Sequence, residues 1–115
     1  MSDQFTTTLD RLSRITGVRG ALIVEADAGV PVLTELSAGV NGAAVAALAS
    51  ALYQRTVKAA NAVDKGALKS LQLEAENGHV IVAGAGELLV VVLAERTAQL
   101  GMVRLEVSRA AEALA

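Results

Sequence analysis

Most enzyme centres are built from histidine, cysteine and paired carboxylates, and this chain of 115 residues has a single histidine, His79, and no cysteine. General-base work needs an imidazole held beside a partner in a cleft. His79 follows the turn pair Asn77-Gly78, which predicts a surface position. With no second histidine and no thiol, a Ser–His or Cys–His nucleophile pair has no support, and neither a disulfide framework nor a thiolate zinc site can form. Gly84-Ala85-Gly86 has the composition of a phosphate-cradling loop, but such loops open a helix and continue into Lys and Ser or Thr. Here the glycines lead into the apolar run Leu88–Ala94, so they read as a tight turn. Glu74 and Glu76 alternate with Leu73 and Ala75, the mark of a solvated strand face rather than of an acid/base or metal pair. The sequence therefore offers no catalytic, cofactor or metal site.

Composition narrows the alternatives. A formal charge of -2 with scattered basic residues lacks the footprint of a nucleic-acid binder, and with only Phe5 and Tyr53 as aromatics there is little on which bases could stack. The residues from Met1 to Asp10 have no basic segment ahead of an apolar one, so no secretory signal is read and a cytoplasmic location is expected. The chain is 53% apolar and 19% charged, against about 45–50% and about 25% in a typical soluble domain. It has more apolar surface than a monomer needs to hide.

The elements that would position any site follow from periodicity. Phe5, Leu9, Leu12 and Ile15 fall at helical spacing, predicting a helix over 3–16 with Ser2 or Asp3 as N-cap and Gly17 as its stop. Segments 20–25 and 30–36 are strand-like and are joined by Asp27-Ala28-Gly29 as a hairpin, and Pro31 requires the second strand to lie at a sheet edge or to begin at that proline. The alanine-rich stretch from Asn41, its N-cap, to about Asp64 predicts a long helix. Strands at 68–76, 79–83 and 88–94 follow, turned by Asn77-Gly78 and by Gly84–Gly86, and a last helix capped by Thr97 carries Leu100, Val103, Val107, Ala110 and Leu114 on one face. Strands 20–25 and 88–94 are apolar on both faces and belong at the centre of the sheet, which leaves 68–76 at an edge.

Two features point to self-association. An open edge strand is a template for pairing, and this one, with Leu71 and Leu73, has Lys69 as its main deterrent. The long helix carries no charge from Asn41 to Gln54, whereas a helix with one face in water normally does. A stripe of Val45, Leu48, Leu52, Ala59 and Val63 is expected to cover the sheet, leaving Ala43, Ala47, Ala51 and Tyr53 on the other side. The predicted dimer interface is thus Ala43, Ala47 and Ala51 together with Lys69, Leu71 and Leu73. The charge-free stretch falls short of the ~20 residues needed to span a bilayer, so no membrane partner is expected. Beyond it come Arg55, Lys58 and Lys65; Lys58 and Lys65 suit the negative end of the helix dipole.

The run Gly17-Val-Arg-Gly-Ala-Leu-Ile-Val-Glu25, the hairpin Asp27-Ala-Gly-Val-Pro-Val32 and the helix start Leu100-Gly-Met-Val-Arg104 resemble the Roadblock/dynein light chain domain family, over essentially the whole of a single domain, 1–115. The resemblance implies an α+β fold of order α-β-β-α-β-β-β-α, with a five-stranded antiparallel sheet, the long middle helix on one face and the terminal helices on the other. It implies a dimer in which third strands pair and middle helices meet. It also implies a small Ras-like GTPase as partner, since bacterial and archaeal relatives commonly accompany one; for such a partner the middle-helix surface around Gln54, Arg55, Lys58 and Asn61 is the expected docking site. A scaffold or light-chain-like subunit without GTPase regulation is the alternative. A small-ligand sensor is third, disfavoured by the few polar groups expected in the core.

Overall fold

A pleated strand sends successive side chains to opposite faces, so an unbroken apolar run is stable only where both faces are covered. The computed structural model, which describes residues 2–115, shows this arrangement. Its elements are α1 (Ser2–Ser13), β1 (Val18–Glu25), β2 (Val30–Leu36), α2 (Gly42–Ala62), β3 (Ser70–Ala75), β4 (Gly78–Ala85), β5 (Leu88–Glu95) and α3 (Leu100–Leu114). The strands form one sheet in the order β2-β1-β5-β4-β3, with every neighbouring pair antiparallel. Ala21, Ile23, Val90 and Val92 face one core with Leu9 and Leu12 of α1 and Val103 and Val107 of α3. Leu22, Val24, Leu89 and Val91 face a second core under Ala46, Ala49 and Tyr53 of α2. The expected element order, central strands and edge strands are all found.

Local chemistry sets most boundaries. Asn41 caps α2, its side-chain oxygen accepting from Ala44 N at 3.1 Å. The helix ends with Asp64 in the left-handed region (φ 56°), where Asp is tolerated, while Lys65 N donates to Ala60 O at 3.0 Å. Its last turn holds no basic residue, so Lys58 and Lys65 lie on either side of the position at which they would complement the dipole. Pro31 sits on edge strand β2 at the bulge opposite Ile23 and Val24, the kind of position to which proline is confined within a sheet.

Four expected boundaries move. The first helix ends at Ser13, whose hydroxyl donates to Asp10 O, and the capping side chains assigned to Ser2 and Asp3 lie outside the described residues. The β3–β4 turn is Glu76-Asn77, with Gly78 already paired in β4. Gly84 and Ala85 also belong to β4, and the next turn is Gly86-Glu87, with Gly86 at φ 66°. Gln99, not Thr97, precedes α3. His79 is also corrected: it is only 6% exposed, because Gly78 starts the strand and the next side chain turns inward with Ile81 and Ala83. Its buried Nδ1 has no hydrogen-bond partner among the described residues.

Tyr53 fastens α2 to the sheet edge. Its hydroxyl donates to Leu68 O at 2.9 Å and lies over Gly84, where a Cβ would collide with it. Burial raises its pKa above the usual value of about 10. A phenol whose folded pKa lies above its unfolded one stabilises the fold fully below pH ~10 and ceases to do so as pH rises through the folded value. Because the chain has one tyrosine and no tryptophan, phenolate absorbance reports this group alone. The folded protein should ionise at higher pH than the same protein in urea; coincident titrations would place the ring in water.

Candidate interaction surface

The 21 residues of α2 show which side of the helix is left over once the sheet is covered. At 100° per residue, Ala46, Ala49, Ser50 and Tyr53 share one face, and all four are buried. Val45 and Val57 pack beside them. The predicted sides are therefore exchanged in part: Tyr53 points inward, and Leu48 and Val63 point out, 71% and 62% exposed. Ala46 and Ala49 share a core with Leu22, Val24, Leu89 and Val91 of the central strands, and the tyrosine reaches Val82 of β4 and Leu68.

The outward face runs Ala44, Leu48, Ala51, Arg55, Ala59 and Ala62, all exposed at helical spacing, with Lys58 beside it. Ala51 therefore keeps its expected place. Ala43 and Ala47 are exposed on the flank toward the β1–β2 turn, where a Cβ on Gly29 would lie 3.3 Å from Ala47 Cα. The same flank holds that turn: Ser50 Oγ and Gln54 Nε2 both donate to Ala26 O. Gln54 is thus a structural tie as well as a surface residue. Arg55, Lys58 and Asn61 are exposed, and neither cation forms an ion pair among the described residues. The three ion pairs among the described residues, Arg14–Asp10, Arg19–Glu95 and Arg109–Glu106, leave α2 untouched.

Strand β3 pairs only with β4 and has a free edge. Leu71 packs into the core under α2, Leu73 lies on the same side and is 40% exposed, and Lys69 is exposed at the strand's start. The residues assigned to a dimer interface thus divide between the free edge and α2, on one side of the sheet. On the opposite side an open groove of about 440 Å³ lies between β3 and α3, over Ile81, Val107 and Ala111. Arg104 Nη1 donates to Gln72 Oε1 across it at 2.9 Å. Among the described residues no group of three His, Cys, Asp or Glu could hold a metal ion, and no helix is long and apolar enough to cross a membrane.

The sequence matches a known family model, the Roadblock/LC7 domain, over residues 4–94. The chain belongs to the Roadblock/LC7 family. Among curated relatives of this Roadblock protein, an uncharacterized protein of Methanocaldococcus jannaschii is 32% identical over 101 residues, 88% of each chain. The gliding protein MglB of Thermus thermophilus is similar in structure, with a TM-score of 0.85 and 26% identity over 97% of this chain and 86% of its own. An MglB in a tetrameric arrangement is also 26% identical, at a TM-score of 0.86 over 97% and 85% of the two chains. The Roadblock signal in the sequence is carried by strand and hairpin order rather than by any reactive side chain.

Proposed function

We propose that this Roadblock protein is a non-enzymatic homodimer that regulates or docks a small Ras-like GTPase in the cytoplasm. The observation that carries the reading is the outer face of α2. Leu48 stands 71% exposed in a row of alanines, and burying a leucine is worth about 1.5–3 kcal/mol. Alanines on either side allow a second helix to approach closely, and the exposed β3 edge on the same side of the sheet supplies backbone groups for pairing. The free cations Arg55 and Lys58 follow directly after the apolar row, as rim charges do around a protein interface. With Asn61 they form the docking surface for the GTPase, and Gln54 supports it through the β1–β2 turn. The tetrameric arrangement of an MglB is a precedent for self-association in a similar chain.

Sedimentation tests the reading, first with the protein alone and then with a candidate Ras-like GTPase loaded with GTP analogue or GDP. A dimer that co-sediments selectively with one nucleotide form is expected. Lys58→Glu should leave the dimer intact and weaken that association about tenfold, the scale of a rim charge facing a charged partner. Binding indifferent to nucleotide would favour the scaffold reading, which the same surfaces support. A monomer at high concentration would end both.

A further inference from the structure

On the face of the sheet shared by the terminal helices, α1 packs on β1 and β2 and α3 on β4 and β5, which leaves β3 beyond the helical layer. The groove of about 440 Å³ between β3 and α3 results, within the range of about 300–1,000 Å³ usual for small-molecule sites. It is drawn out along the helix. Near the start of α3 Arg104 bonds Gln72, and at its end Ala115 Cα lies 3.9 Å from where a Cβ on Gly86 would stand, so α3 runs alongside β4 and the groove follows it. Ile81 and Ala83 line it from the sheet, and Val107, Ser108 and Ala111 from the helix. From Arg104 to Ala111 the helix advances about 10 Å.

The charged groups of the groove are set at its two ends. Arg104 forms no ion pair among the described residues, and the acceptor it bonds is the carboxamide oxygen of Gln72, a neutral one. A carboxylate accepts from a guanidinium roughly twice as strongly as a neutral group does, and it can take two parallel N–H bonds from the planar fork. An incoming carboxylate can therefore displace Gln72, whose exposed amide returns to water. Ser108, one helical turn beyond Arg104, and Ser70, on the same face of β3 as Gln72, add hydroxyl groups to the lining. Glu112 stands about 12 Å along α3 from Arg104, at the end where Lys69 also lines the groove. Glu74 shares the face of Gln72 but lies beyond the lining.

We infer that this groove binds an unbranched aliphatic carboxylate of medium length, its head on Arg104 and its tail along Val107 and Ala111. The uncompensated guanidinium selects the head group, and the aliphatic run behind it selects the tail. A compact anion would have no tail to bury there, and an aliphatic amine would set its charge against Arg104. The inference needs neither a second copy nor a GTPase, so it stands or fails apart from the function proposed above.

Octanoate and decanoate, held below their micelle concentrations, are the probes, read by thermal unfolding and by backbone amide shifts. Each should raise Tm saturably, as a ligand of the folded state does, with shifts centred on Gln72, Arg104 and Ser108. Acetate should give no effect, and octanamide and octylamine should bind at least about tenfold more weakly, the scale of a lost charged hydrogen bond. Arg104→Gln should raise the octanoate Kd about tenfold and Arg104→Lys by less, since lysine keeps the charge without the fork. Ser108→Leu, at an exposed helical position where leucine is well tolerated, should fill the groove and abolish binding without loss of fold. Equal binding of octanoate and octanamide, an unchanged Kd in Arg104→Gln, or the absence of saturable stabilisation would overturn the proposal. Shifts centred on Leu48 would place the acid on the outer face of α2 and overturn it too. Shifts at Arg104 and Ser108 that move with protein concentration in the absence of acid would put a second copy in the groove, with the same consequence.

Discussion

Leu48→Glu is expected to convert the dimer to a monomer while leaving the fold intact. The side chain is 71% exposed in the single chain, so the substitution removes no core contact and should change stability by no more than about 0.5 kcal/mol. In a two-fold helix contact the position occurs twice, and each copy would bring an unpaired carboxylate into a dry interface. Leaving a charge buried without a partner costs about 3 kcal/mol or more, which is about a hundredfold in Kd. Sedimentation equilibrium would read the change, and thermal unfolding would confirm the fold. Ala51→Glu, on the same outward row, should act similarly. Ala47→Glu should act less, because Ala47 sits on the flank beside Gly29. Ala46→Glu is the contrast: Ala46 is fully buried against the sheet, and that variant should fail to fold. Dimers persisting in Leu48→Glu would take α2 out of the interface.

Most of the fold was legible because strand burial writes itself into the sequence. Leu22 to Val24 and Leu89 to Val92 are apolar without interruption because each strand meets a helix on either side, and that placed β1 and β5 centrally. The edge position of β3 was legible from its alternation, and that of β2 from Pro31. The face of α2 was harder to read. A helix made mostly of alanine has little amphipathic contrast, so the stripe of Val45, Leu48, Leu52, Ala59 and Val63 reads as the inward face and leaves Tyr53 on the other side. Tertiary structure decided otherwise. The tyrosine hydroxyl finds Leu68 O, and Ala46 and Ala49 are buried in the same core against Leu22, Val24, Leu89 and Val91 of β1 and β5. His79 was misplaced by a single residue of turn register. With the turn at Glu76-Asn77 rather than Asn77-Gly78, His79 becomes the second residue of a strand, and its face is set by the same parity that buries Ile81.

That one-residue shift also makes Gly78 a position with little tolerance, and Gly78→Ala is expected to be among the most destabilising small substitutions in the protein. A Cβ on Gly78 would lie 2.5 Å from the carbonyl oxygen of Ala94. This atom belongs to the backbone of β5, the central strand, so relief requires moving a strand rather than rotating a side chain. Gly78 pairs with Glu95 on one side and with Ala75 on the other, so displacing it disturbs both ladders where the β3–β4 hairpin closes. Overpacking of this kind costs about 3 kcal/mol at the upper end, a large part of the roughly 5–15 kcal/mol that holds a domain folded. A fall in Tm of about 10 °C or more should be seen. Gly101→Ala gives the opposite sign: nothing lies within 4 Å of a Cβ at that exposed helical position, and alanine in place of glycine should add up to about 1 kcal/mol. Because β3 reaches the sheet only through β4, Gly78→Ala should also weaken the dimer, and it should do so at temperatures below its own unfolding. A variant with unchanged Tm would mean that β4 can withdraw from Ala94 at no cost, and the rigid edge on which the β3 pairing depends would then be lost.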